Sequence, residues 1–294
     1  MEVQAQVTTV ASPPAEIRRV FSEYIRITGL PHLGPEPAGD AGLQGKRLGL
    51  LNGSSWVSFW ANYFAREYLP GVQLVNAGND AVQLNFMEAH AQGEPCPPTA
   101  NIDAFVRYAV DLADLGRVDA ILITCSTMNR AYTSVQAAMA DRDIPVLQID
   151  VPMMERAADH GGPVLVLATH GPTVRSTSEL LSETALARGR TLGRVELSLP
   201  EAWERLARAD IDGHNDVLAS AIREQCALRP IGCVVLAQLS MALFSLTYPD
   251  PVEQFGIPVW TSAECGFERV GAVLRDREIR PGPRRGAPPR GAHA

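Results

Sequence analysis

The chain has 294 residues, 46% hydrophobic and 20% charged, with a formal net charge of −7 and a sequence pI near 5.4. That acidic balance argues against nucleic acid as a partner, because phosphate neutralisation needs clustered Lys and Arg. No run of about 18 apolar residues indicates a membrane span, and the opening MEVQAQVTTVASPPAE lacks the basic-then-apolar order of a secretory signal, so a soluble, cytoplasmic protein of two domains is expected.

In chain order, residues 1–45 read as an extension. Within it, 14–28 places Ile17, Val20, Phe21, Tyr24 and Ile25 at helical spacing, and 29–45 is rich in Pro and Gly. From Lys46 onward short apolar runs end in small or polar residues and are each followed by an amphipathic stretch, the rhythm of β-α units in a parallel sheet. A first half, 46–160, contains expected strands at 47–51, 72–76, 120–124 and 145–149, with helices over 57–68, 102–115 and 133–139. A second half, 161–270, repeats this with strands at 163–168, 194–198, 233–237 and 258–261 and helices over 174–187, 216–227 and 251–255. A last helix, 268–276, is expected to fold back on the first half, and the final segment, 271–294, to end in a disordered basic tail, 280–290, rich in Pro and Gly.

The two halves share an internal repeat. A shift of 113 positions carries Ile144-Pro145-Val146 onto Ile257-Pro258-Val259, and the same shift carries Ile121 to Val234 and Met128 to Met241. A shift of 116 brings Leu48–Ser54 onto Val164–His170. The fold class expected is therefore α/β: two pseudo-symmetric parallel-sheet, flavodoxin-like halves with the active site in the cleft between them.

In open parallel sheets ligands bind beyond the carboxyl ends of the strands, where loops and helix N-termini expose backbone N–H groups. Those ends offer Asn52, Ser54 and Ser55; Cys125, Ser126 and Thr127; Thr169, His170 and Thr173; and Gln238 and Ser240. These small polar residues can hold a carboxylate through hydroxyl and amide donors. Five cysteines without CxxC spacing indicate reduced thiols, and the histidines show no metal-ligand spacing. The single lysine, Lys46, precedes the first strand, which argues against a pyridoxal phosphate Schiff base, and neither GxGxxG nor a phosphate loop is present. No cofactor and no metal are expected. The aromatic run Trp56, Phe59, Trp60, Tyr63, Phe64 and Tyr68 falls at helical spacing, as core or as the interface of a homo-oligomer; Trp56, beside Ser55, is also a candidate pocket wall.

Cys125-Ser126-Thr127 after the third strand, with Ala168-Thr169-His170-Gly171-Pro172-Thr173 opening the second half, resembles the aspartate/glutamate racemase superfamily over residues 46–275. That superfamily includes amino-acid and hydantoin racemases, arylmalonate decarboxylases and maleate isomerases. The resemblance implies cofactor-free chemistry beside a carboxylate or similar carbonyl of a small substrate, with Cys125 as acid/base. A thiol suits this, since a helix N-terminus and backbone N–H groups lower its pKa. A two-thiol racemase places a second cysteine at the matching strand end, but Gln238 stands there. His170, whose ordinary pKa suits acid/base work, is the first substitute, followed by Cys265, with Ser240 also in range. The asymmetry keeps open a single-cysteine decarboxylase, cis-trans isomerase or lyase, and a non-catalytic protein that binds small acids.

Overall fold

The computed structural model describes residues 14–29 and 39–277. The tail 280–290 lies outside the described residues, as does part of the Pro/Gly-rich stretch 29–45.

After helix α1 (Pro14–Thr28) the first half runs β1 (Arg47–Asn52), α2 (Ser55–Tyr68), β2 (Gln73–Gly78), α3 (Asp80–Ala91), α4 (Thr99–Asp114), β3 (Ala120–Ile123), α5 (Tyr132–Met139), β4 (Val146–Gln148) and α6 (Val151–His160). The second half runs β5 (Val164–Ala168), α7 (Gly171–Ala187), β6 (Arg194–Ser198), α8 (Pro200–Ala207), α9 (Ile211–Leu228), β7 (Cys233–Leu236), α10 (Phe244–Thr247), α11 (Pro251–Phe255), β8 (Val259–Thr261) and α12 (Ser262–Arg275). Each half forms a four-stranded, all-parallel sheet, in the orders β2-β1-β3-β4 and β6-β5-β7-β8. Strands β3 and β7 read Ala-Ile-Leu-Ile and Cys-Val-Val-Leu because both of their faces are covered by helices, which removes the polar alternation of a half-exposed strand.

The pairing register reproduces the sequence repeat. Leu48 pairs with Ala120 in the first sheet and Val164 with Cys233 in the second, the same shifts of 116 and 113 positions. Each half also lends its last helix to the other. Met153 and Met154 on α6 pack against Val164, Val166 and Val235 of the second sheet, while Phe267, Val270 and Leu274 on α12 pack against Leu48, Leu50 and Leu122 of the first. The expected fold-back near 268–276 thus begins at Ser262, directly after β8.

Of the helices that the sequence reading did not place, two, α3 and α8, reach the cleft. α3 buries Val82, Phe86 and Ala89 but keeps Leu84 and Met87 exposed, so apolar residues on both faces blur the stripe that marks a core-facing helix; its start is fixed by Asn79, whose side chain accepts from the Ala81 N–H. α8 spans only eight residues and starts on Pro200. Both follow the edge strands β2 and β6, and both reach the cleft. Among the described residues no helix is long and apolar enough to cross a membrane.

Candidate active site

The carboxyl ends of the two sheets face a shared cavity of about 360 Å³. Its first-half wall includes Cys125, Ser126 and Thr127, carried on the short 3₁₀ turn Ser126–Ala131 that follows β3. Its second-half wall includes His170 and Thr173 at the start of α7, and Gln238 and Ser240 where β7 passes into the matching turn Leu239–Leu243. Cys125 and Gln238 therefore hold equivalent positions, each the extended residue before its 3₁₀ turn.

Cys125 is 8% exposed. Its thiol lies 3.1 Å from the Thr127 hydroxyl, and Gly53 passes so close that a Cβ there would sit 2.5 Å from Sγ. Burial pushes the thiol pKa up, against the Thr127 hydroxyl and the N–H groups of Met128 and Thr127, which pull it down. This corrects the expectation of a lowered pKa: the donors are in place, but desolvation of the thiolate outweighs them. Cys125 rests as a thiol.

The second-half group forms a closed hydrogen-bonded ring. Gln238 Oε1 accepts from the Thr169 N–H at 2.7 Å and from the Thr169 hydroxyl at 2.9 Å. Thr169 Oγ1 lies 3.2 Å from His170 Nδ1, and Gln238 Nε2 lies 3.2 Å from His170 Nε2. Only one tautomer satisfies all four contacts: Nδ1–H donates to Thr169, and Nε2 accepts from the Gln238 amide. Burial lowers the His170 pKa, partly offset by the backbone of Thr169, so the imidazole is neutral.

The remaining expected residues stand at varying distance from the cavity. Asn52 is buried behind it, donating to Asn76 Oδ1 at 3.0 Å and accepting from the Thr124 hydroxyl at 2.6 Å. Ser54 is buried at the α2 N-terminus without a side-chain cap bond, and Ser55 bonds Asp80 through both its N–H and its hydroxyl at 2.7 Å. Thr169 supports Gln238 from behind. The structure does not bring Cys265 to the cleft. Because α12 starts immediately after β8, Cys265 is carried past the strand tip onto the side facing α6, where it packs with Met153 and Ala157 and burial pushes its thiol up to about 12.

Sequence reasoning did not single out Gln83 and Met87 on α3 or Trp203 on α8. All three line the cavity together with Trp56. The strand-end rule would have found them had it been applied to the edge strands β2 and β6, which α3 and α8 directly follow.

Beneath Ser126 lies Asp150, fully buried at the N-terminus of α6. It accepts from Asn129 Nδ2 at 2.9 Å. The hydroxyls of Ser126 and Ser262 face it without reaching full hydrogen-bond geometry, leaving Asp150 Oδ1 and both Oγ atoms unpartnered. Burial raises its pKa to about 6, against the pull of those three neighbours. A carboxyl raised on folding is stabilising in its neutral form below the unfolded value of 3.8, and that contribution is lost as pH rises to about 6. Asp150→Asn is expected to gain about 2 kcal/mol on the wild type between pH 4 and pH 7, read from urea midpoints at the two pH values; a constant difference would show that Asp150 ionises normally.

The family model described as Asp/Glu/Hydantoin racemase matches residues 80–270. No curated protein matches the chain in sequence. Among solved structures, an aspartate racemase homologue from Pyrococcus horikoshii is 15% identical with a TM-score of 0.58, over 79% of this chain and 100% of its own. An allantoin racemase from Klebsiella pneumoniae is 17% identical with a TM-score of 0.53, covering 78% and 87%. Glutamate racemase from Thermus thermophilus, solved with β-chloro-D-alanine, is 18% identical with a TM-score of 0.52, covering 79% and 81%. At these identities the likeness is one of fold.

Proposed function

The chain belongs to the Asp/Glu/Hydantoin racemase family, and from that membership we propose that it is a cofactor-independent racemase acting alpha to the carboxylate of a small acid, with Cys125 and His170 as its two acid/base groups. The observation that carries this reading is the presence of a thiol and a neutral imidazole, one from each half, in the wall of a single cavity.

The resting protonation states suit one direction of turnover. His170 Nε2 takes the α-proton as the C–H bond breaks, and the electron pair moves into the carboxyl group. The thiol of Cys125 then gives its proton to the other face of the carbon and becomes a thiolate. This leaves imidazolium and thiolate, the pair needed for the reverse direction, so the two substrates meet two protonation forms of one enzyme. The developing charge on the carboxyl oxygens falls to the hydroxyls of Thr127 and Thr173 and to N–H groups at the start of α7 and of the Ser126–Ala131 turn. Thr173 Oγ1 is buried and has no partner in the free protein, so its donor is uncommitted. Substrate binding must displace the Gln238 amide from Nε2 for the imidazole to act.

The test is wash-in of deuterium from heavy water at the α-carbon of both enantiomers of candidate acids, for the wild type and for Cys125 variants. A second reading has its own observation: Gln238 already occupies His170 Nε2. If that contact persists, Cys125 works alone, as in a decarboxylase, a cis-trans isomerase or a lyase, and products rather than enantiomers accumulate.

Gly53 offers a milder test. In Gly53→Ala the new Cβ meets Sγ at 2.5 Å and the Cys125 Cβ at 3.2 Å, and the thiol must shift from its place beside Thr127. Misplacement of a reacting group by about 1 Å costs about 10²-fold, so exchange should fall by roughly that factor while the far-ultraviolet spectrum is retained.

A further inference from the structure

The cavity that holds Cys125 and His170 also has an apolar side, and this part of its lining carries no charge. Trp56 and Val57 come from the start of α2, Met87 from α3, Trp203 from α8, and Leu239 follows Gln238. The two indoles meet across the halves edge to face, with ring centroids 5.6 Å apart, and Trp203 in turn packs edge to face on His170 at 5.3 Å. Trp56 is 38% exposed and Met87 43%. Large apolar side chains left open to solvent around a concave site are surfaces for a ligand to cover. None of the residues lining the cavity is Lys, Arg, Asp or Glu, and Asp150, buried beneath Ser126, is of the wrong sign to receive a second carboxylate.

We propose that this site selects a substrate with one carboxylate and an apolar, aryl-sized substituent on the reacting carbon, and rejects acids whose side chain carries a second carboxylate. The inference rests on the α-carbon chemistry proposed above for the same cavity. One carboxylate is served by the hydroxyl and N–H donors around Cys125 and Thr173. A second, laid on the apolar side, would be stripped of water against indole and thioether surface, away from Arg130 and Arg175, which line a separate cavity that shares only Thr127 with this one, an uncompensated desolvation. An aryl group in that position replaces water on Trp56 and Trp203, and edge-to-face contact with the indoles is open to it. Because one indole comes from each half, the substituent also bridges the two halves.

Binding separates this proposal from the chemistry it rests on. The full chain is titrated calorimetrically with 2-phenylpropionate and with methylsuccinate, and α-deuterium wash-in is followed on both. Tighter binding of 2-phenylpropionate by 10²-fold or more is expected. Trp203→Ala should reduce that preference at least 10-fold, and Trp203→Phe should keep most of it. Met87→Arg, at an exposed position, should shift the preference toward methylsuccinate by at least 10-fold by supplying the missing cation. Equal binding, preference for methylsuccinate, or binding of neither ligand by the wild type overturns the proposal. Preferred binding of 2-phenylpropionate without wash-in leaves the selectivity standing and counts against the racemase reading; wash-in confined to methylsuccinate does the reverse.

Discussion

Cys125→Ala is expected to lower α-carbon exchange by about 10³-fold, within the 10²–10⁴ range that a positioned acid/base group contributes. The fold should survive the change. Cys125 faces the cavity rather than filling a sealed core, so removing one sulfur enlarges a space already open to water instead of leaving a void among packed side chains. Its neighbours do not depend on the sulfur: the Ser126–Ala131 turn is held by the backbone bond from Met128 N–H to Cys125 O at 3.0 Å. Cys125→Ser sharpens the test. A serine hydroxyl keeps the contact with Thr127 and the shape of the site, yet its proton is far too tightly held for exchange near neutral pH, so the serine variant should be nearly as inactive as the alanine variant. Thermal unfolding within a few degrees of the wild type, together with loss of wash-in, is the expected pair of results. Exchange that continues in both variants would remove Cys125 from the chemistry.

The parts of this molecule that could be read in advance share a physical cause. Strands β3 and β7 are continuous apolar runs because both faces are buried, and duplication leaves the same run at a fixed shift, so the sheets and the equivalence of Cys125 with Gln238 follow from pattern alone. The cluster of Cys125, Ser126, Thr127, His170 and Gln238 was accessible because parallel sheets place ligands at strand ends. What pattern could not convey is direction. Cys265 follows β8 as Cys125 follows β3, but β8 passes straight into α12 whereas β3 passes into a 3₁₀ turn, and only the second arrangement aims a thiol into the cleft. Nor does position at a strand tip reveal desolvation: the donors around Cys125 were foreseeable, while the burial that outweighs them depends on Gly53 and on chain distant in sequence. Trp203 was hidden for a further reason, since it rides on a short helix whose aromatic side chain reads as ordinary core.

His170→Asn is expected to abolish racemisation by about 10³-fold while sparing half of the exchange. With a base on one face only, Cys125 should still wash deuterium into the enantiomer whose α-hydrogen points toward it, and the other enantiomer should exchange 10²–10⁴-fold more slowly than in the wild type. Asparagine retains a donor and an acceptor for the ring formed with Thr169 and Gln238, so a general loss of structure would not produce this one-sided pattern. The pH profile gives an independent reading. In the direction that uses His170 as base, activity requires a neutral imidazole and a protonated thiol. Burial lowers the imidazole below its ordinary 6.5 and raises the thiol above its ordinary 9.0, so kcat/KM for the free enzyme should form a plateau with its acid limb below pH 6.5 and its alkaline limb above pH 9. Replacing His170 should erase that plateau: the exchange that remains uses Cys125 as base, so it should rise with pH as the buried thiol ionises above pH 9 instead of falling there. Equal slowing of both enantiomers with an unchanged acid limb would instead show that His170 only positions Gln238, and would favour a reaction in which the thiol works alone.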